Sequence, residues 1–230
     1  SELAKAHDLY SMIDNTFASP INQNPHDFGS DIVLHSATTY KGGHSDICAG
    51  AVAASAAHIE RIWHSAICFG GSLSDQTVWL LERSLKTMGL RVKAQNENAM
   101  KLAQYLLDYE VVDQVYYPGL PSHPGHELAK AQMHGFGGMV SFELNQSIDA
   151  STFLKHLQLI KPSMSLAGIE STMLRPVQTS HALMSPEDRE KQGIRDGLIR
   201  FSVGSVEVED IITDIEQAVQ KAAKTLEPVQ

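Results

Sequence analysis

The sequence predicts an α/β fold over its first third that gives way to a smaller α+β unit, and three observations carry this. Short, nearly continuous apolar runs at Tyr10 to Asp14, Asp31 to Thr38 and Cys48 to Ser55 have the character of strands covered on both faces, as in a parallel sheet with crossover helices. From Asp75, apolar residues recur at alternating three- and four-residue steps: Val78, Leu81, Leu85, Met88, Val92, then Ala99, Leu102 and Leu106. That period is one long amphipathic helix, or two joined near Gly89. Beyond it, strand-like and helix-like segments follow without a regular βαβ alternation, the order expected of an α+β unit.

In that later part, VVDQVYYP, GGMVSFEL and LIRFSVGS read as strands, and HPGHELAKAQM, SIDASTFLKHLQLI and VEDIITDIEQAVQKAAK as helices. The last carries Val208, Ile211, Ile212, Ile215 and Val219 on one stripe, with Glu209 and Asp210 at its positive dipole end. A domain change is therefore expected inside the long helix, dividing the chain into residues 1–90 and 91–230. Three strands make a poor doubly wound sheet, so further strands are expected from a preceding segment or another chain. The first residue is Ser1 rather than Met.

Composition narrows the function. The 230 residues carry 18 Lys+Arg against 27 Asp+Glu, a formal net charge of −9. A nucleic-acid surface is not expected, since phosphate binders show a basic excess or stripe. Cys48 and Cys68 cannot build a disulfide framework, which suits a reducing cytoplasm. No apolar stretch approaches the roughly 20 residues that span a bilayer. Eleven histidines invite a metal site, and His123, His126 and His134 are the closest cluster. No carboxylate or cysteine stands at ligand spacing beside them, so no metal is expected.

Three constellations carry chemistry. Asp14 ends a strand in MIDNTF, where open α/β sheets place their ligands; it either pairs with a cationic ring nitrogen or caps a turn. Ser36 and Thr38 in HSATTYKGGHSD would point to one side of an extended chain and donate to one phosphate, or else close a polar turn, with Gly42 and Gly43 permitting a sharp reversal. Arg200 interrupts an apolar strand, so it should meet a carboxylate of the protein or of a substrate.

Taken together, MIDNTF, DIVLHSATTYKGGHSD, YYPGLPSHPGHELAKAQM, GGMVSFEL, SLAGIES and GIRDGLIRFSVGSVEVEDII resemble, in order and register, the Cys/Met-metabolism family of pyridoxal-phosphate enzymes. Its members include cystathionine γ-synthase, the cystathionine lyases and methionine γ-lyase. The resemblance covers about Leu9 to Ala222 and only the C-terminal part of such an enzyme. It implies part of the fold-type I PLP-transferase large domain followed by a smaller α+β domain. It also implies elimination or replacement at Cβ or Cγ of cystathionine, methionine or cysteine-like substrates.

By the same resemblance, Asp14, Thr16, Ser36 and Thr38 bind pyridoxal 5′-phosphate, with Asp14 on the pyridine nitrogen and the hydroxyls on the phosphate. Ser165 and Arg200 bind the substrate, Arg200 as a fork on its carboxylate. A homo-oligomer, dimer or tetramer, or a complex with an N-terminal segment, is also implied. One position departs from the pattern: the family reads S-x-T-K-Y where this chain reads Ser36-Ala37-Thr38-Thr39-Tyr40. Thr39 thus occupies the place of the lysine that links to the cofactor aldehyde, and a hydroxyl cannot do that amine's work. Lys41 lies two residues on, displaced about 7 Å along an extended backbone. The alternative reading is a non-catalytic relative or partner subunit that stabilises an assembly.

Overall fold

The computed structural model describes residues 1–225. The chain opens with α1 (Glu2–Ala6), β1 (Met12–Asp14), α2 (Ser19–Asn22), β2 (Ile32–Ser36), β3 (Gly50–Ala54), α3 (Ala56–Phe69), α4 (Asp75–Leu85) and α5 (Met88–Leu107). It continues with β4 (Val112–Tyr116), α6 (His126–Gln132), β5 (Met139–Leu144), α7 (Ala150–His156), β6 (Lys161–Pro162), β7 (Thr172–Leu174), α8 (Pro186–Lys191), β8 (Leu198–Ser202) and α9 (Val208–Thr225).

The first sheet has the order β1-β2-β3, and it corrects the expectation of a parallel sheet. β1 runs parallel to β2 with Asp14 opposite Leu34, but β3 runs antiparallel, with Ser36 opposite Gly50. A parallel return needs a crossover, usually a helix. Here residues 37–49 instead fold back as an irregular loop, closed where the Ala37 and Thr38 N–H groups both donate to the Ala49 carbonyl at 2.8 and 3.2 Å. Coverage on both faces holds for β2, whose Ile32 and Val33 are buried, and not for β1 or β3, where Met12 and Val52 are exposed. Helix α3, not expected from the residue pattern, follows β3 directly and buries none of its residues; Trp63, Ile67 and Phe69 stand in the open.

The long helical stretch is two helices. It breaks at Lys86 and Thr87, and the Thr87 hydroxyl donates to the Ser84 carbonyl at 3.3 Å. Residue 90 falls in the first turn of α5. The second sheet has the order β4-β5-β8-β7-β6, with β5 antiparallel to both β4 and β8. Strands β6 and β7, unread in the sequence, pair in parallel at its far edge. Strand alternation sends Val140, Phe142, Ile199 and Phe201 to one face, where Leu102 and Leu106 of α5 and Ile211 and Ile215 of α9 cover them. The opposite face presents Ser141 and Arg200, directly paired across β5 and β8. On α9, the buried Asp214 accepts N–H bonds from Gln158, Leu159 and Ile160 at 2.8–2.9 Å, pinning the turn after α7. Among the described residues, no helix is long and apolar enough to cross a membrane.

Candidate functional site

β1 and β2 lie side by side in parallel, so their C-terminal ends deliver Asp14 and Ser36 to one edge of the sheet. Thr16 ties them together. Its N–H donates to Asp14 Oδ1 at 2.9 Å, and its hydroxyl oxygen accepts the Ser36 N–H at 2.8 Å. The Thr16 hydroxyl first, and its N–H second, hold the Asp14 carboxyl below the ordinary range; nearby His35 adds to this and partial burial opposes it. Asp14 is thus a fixed anion with exposed surface at a strand end. It caps the turn at Thr16 and still keeps open surface.

After Ser36 the chain turns, which corrects the extended-chain geometry expected for Ser36 and Thr38. Thr38 Oγ1 accepts the Ala49 N–H at 3.0 Å and lies 3.4 Å from the Ala49 carbonyl, so that hydroxyl braces the loop. Thr39 donates its hydroxyl proton to the Ser36 carbonyl at 2.7 Å. Tyr40 is buried; its hydroxyl accepts the Gly138 N–H at 2.9 Å, and burial pushes its pKa up to about 12. The backbone beyond is held by Arg91 of α5, whose buried guanidinium donates to the carbonyls of Tyr40 (2.9 Å), Ser84 (2.9 Å) and Lys41 (3.4 Å) and to Thr87 Oγ1 (3.1 Å). Gly43 passes with φ +74, and a Cβ there would come 1.9 Å from Arg91 Nη1. Only glycine meets both conditions.

Lys41 does not line the cleft beside Thr39. Burial lowers the pKa of its amine, and its charge acts on His35. Successive strand residues face opposite ways, so His35 lies across the sheet from Ser36. The open cleft of about 510 Å³ at the strand ends is lined by Asp14, Thr16, Phe17, Ser36, Thr39 and Leu166, without Lys41.

Leu166 brings the second wall to this cleft. Its neighbour Ser165 meets Ser45 hydroxyl to hydroxyl at 3.2 Å. Ala167, buried and at φ +61, is held there by its N–H donating to Ser202 Oγ at 2.6 Å. Gly168 is fixed from behind by Gln95 Nε2 at 2.6 Å from its carbonyl. Arg200 reaches the same loop, donating from Nη2 to the Met164 carbonyl at 2.8 Å and lying 3.5 Å from that of Ser165. The expected carboxylate partner is not a protein group: no ion pair is formed by Arg200 among the described residues, and its buried Nε has no acceptor. Burial lowers its pKa. The guanidinium thus keeps donors free of protein acceptors beside the loop.

Two of the three histidine rings are engaged locally: His123 Nδ1 accepts the Gly125 N–H, and His126 Nδ1 bonds the Pro118 carbonyl while its ring stacks on Phe136. At His134 it is the backbone N–H that bonds, to the Asn22 carbonyl. Sequence reasoning missed Arg91 and Gln95. The apolar period of α5 runs Met88, Val92, Ala99 and Leu102, and Gln95 fills the skipped stripe position with a side chain that is fully buried. A polar residue on an apolar stripe was the available signal.

The donor set suits a phosphorylated pyridine coenzyme at all but one point. Asp14 matches a protonated ring nitrogen, and the Ser36 hydroxyl opens into the same cleft, whereas the Thr38 hydroxyl is engaged with Ala49. A free guanidinium on the second wall matches a substrate carboxylate. Nothing at position 39 can bond an aldehyde covalently. The fold and site therefore define a coenzyme-binding α/β protein.

Comparison with known proteins specifies which. A model of the family described as Cys/Met metabolism PLP-dependent enzyme matches residues 1–220, and the chain belongs to that family. It is 47% identical over 222 residues to a cystathionine β-lyase of Lactococcus lactis subsp. cremoris, covering 96% of this chain and 58% of the relative. To a cystathionine γ-lyase of Bacillus subtilis it is 43% identical over 221 residues, covering 96% and 58%. Its fold matches the crystal structure of cystathionine γ-lyase from Lactobacillus plantarum complexed with L-serine at a TM-score of 0.91 and 44% identity, covering 96% of this chain and 58% of that one. The chain thus spans a little under three fifths of the length of these relatives.

Proposed function

We propose that the chain is the cofactor- and substrate-carboxylate-binding part of a pyridoxal-phosphate enzyme of sulfur amino-acid metabolism. In this reading it acts on cystathionine-, methionine- or cysteine-like substrates by elimination or replacement at Cβ or Cγ. When bound, pyridoxal phosphate supplies an electron sink for charge developing at the substrate Cα. Asp14 would keep the pyridine nitrogen protonated, with Thr16 holding Asp14 ionised and in place. Ser36 would hold the phosphate, with Thr38 bracing the turn behind it through Ala49, and the free donors of Arg200 would fork onto the substrate carboxylate beside Ser165. The observation that carries the reading is that Asp14, Ser36 and residue 39 open into one cleft that the Arg200-bound loop closes through Leu166.

Supporting the rest of the proposal, residues 1–90 form the C-terminal part of the cofactor-binding domain and residues 91–230 the smaller domain. The protein works in the cytoplasm as a homo-oligomer, dimer or tetramer, or with an N-terminal segment, either of which would cover the apolar side chains of α3. Thr39 favours a second reading, a non-catalytic relative that stabilises an assembly, because its hydroxyl cannot carry a proton between substrate carbons as an amine does.

The substitution Thr39→Lys, made in the protein joined to the N-terminal portion of a relative, tests both. Yellow colour on adding pyridoxal phosphate, with release of thiol or ammonia from cystathionine or methionine, is the expected result. Colour without turnover favours the non-catalytic reading, and a colourless lysine variant rules out the cofactor pocket.

A further inference from the structure

Thr39 is more than a lost amine, because the geometry gives its hydroxyl a definite polarity. Its proton is committed to the Ser36 carbonyl at 2.7 Å, so toward the cleft Oγ1 offers only lone pairs. The other polar groups at this end are a carboxylate held ionised by Thr16 and the hydroxyl of Ser36. No cationic side chain lines the cleft among the described residues. A carbonyl oxygen entering here meets an acceptor where it needs a donor. An ammonium meets an acceptor, and so is favoured where a carbonyl is not.

We propose that this pocket has exchanged covalent capture of the aldehyde for non-covalent binding of the amine form of the cofactor, pyridoxamine 5′-phosphate, whose own C4′ ammonium takes the place of the absent lysine ammonium against Thr39 Oγ1. This rests on the reading of the cleft as a pyridoxal-phosphate pocket. No bond forms or breaks in the binding step.

The test is calorimetric titration of the unaltered 230-residue protein with pyridoxamine 5′-phosphate and with pyridoxal 5′-phosphate in an amine-free buffer. Borohydride reduction and mass spectrometry of the aldehyde sample then locate any attachment. The expected result is binding of the amine at least about tenfold tighter than of the aldehyde, with no reducible attachment at Lys41. Thr39→Lys should invert the preference: the lysine nitrogen bonds the aldehyde carbon with loss of water, and hydride from borohydride fixes the link at residue 39. Equal or tighter binding of the aldehyde by the unaltered protein, or attachment at Lys41, overturns the inference and leaves the pocket standing. Amine binding absent from the unaltered protein while Thr39→Lys captures the aldehyde does the same. Failure of both forms to bind both proteins overturns the inference and the pocket reading together. If Thr39→Lys does not fold, the ratio measured on the unaltered protein decides.

Discussion

The Ser36 N–H donates to Thr16 Oγ1 at 2.8 Å, extending the contact between β1 and β2 one step past their last paired residues. The bond has two consequences, because the same Thr16 holds Asp14. Thr16→Val keeps the shape of a residue only 8% exposed and removes its hydroxyl, leaving the N–H of the exposed Ser36 without its protein acceptor. The expected cost is about 0.5–1.5 kcal/mol, read as a shift of the urea midpoint at constant slope. The Asp14 pKa, followed by carbon-detected NMR, should rise at the same time. A carboxyl depressed in the folded state contributes stability above its unfolded pKa and loses it as pH falls through the folded value. The variant should therefore lose less stability than the parent on acidification in that range.

Gly43 and Arg91 make a second testable pair. Gly43→Ala combines a left-handed backbone with a collision against Arg91 Nη1, while Arg91→Ala leaves the Tyr40, Lys41 and Ser84 carbonyls without their donor. Each alone should destabilise by about 2–4 kcal/mol. In the Arg91→Ala background the collision is gone, and only backbone strain of about 1–2 kcal/mol remains for Gly43→Ala. A double-mutant cycle by chemical denaturation should show this shortfall. Strict additivity would mean that the close approach does not decide the residue at position 43.

Much of this was legible in the residues, and the limits have physical causes. The periods of β4, β5, β8 and α9 reported one buried face each, and those faces are where Phe142, Phe201 and Ile211 lie. Strand direction leaves no mark on such a pattern, so the antiparallel return of β3 was not visible, nor was the turn that takes Thr38 away from Ser36. Helix α3 begins directly after Ser55 in an alanine-rich run that strand and helix share, and no stripe is buried to mark it. Asp14 and Arg200 were visible as charges in apolar strands. Arg91 was not, because an arginine on a helix reads as a solvated face until carbonyls are seen around it.

His35 makes the fold sensitive to mild acid. Burial chiefly, and then the charge of Lys41, bring its pKa down to about 4; Asp14 and a backbone bond with Asn15 oppose this. The unfolded chain binds this proton below about 6.5 while the folded chain does not until about 4. Between those values stability rises with pH, by at most about 1.4 kcal/mol per unit for one proton. The contribution is complete above the upper value and is eroded as pH falls toward the lower. His35→Gln should flatten the stability profile in this window, measured by urea denaturation at a series of pH values. An unchanged slope would place the responsible group elsewhere.

Ala167 carries strain that can be released. A non-glycine residue at φ +61 costs about 1–2 kcal/mol, and glycine there gives back about 0.4–1 kcal/mol through the freer unfolded chain. Ala167→Gly should therefore leave stability level or raise it by about 1 kcal/mol, visible as an unchanged or higher Tm. The Ser202 hydroxyl decides whether the conformation survives: at 2.6 Å it accepts the Ala167 N–H, and both residues are buried. Ser202→Ala removes that acceptor and should cost about 1–3 kcal/mol. Because Ser165 and Leu166 precede Ala167, the Ser202 variant should also raise amide exchange across residues 165–169 while leaving β1 and β2 protected. Equal loosening of both sheets would show a general destabilisation instead, and would remove Ser202 from the set of residues that shape the substrate wall.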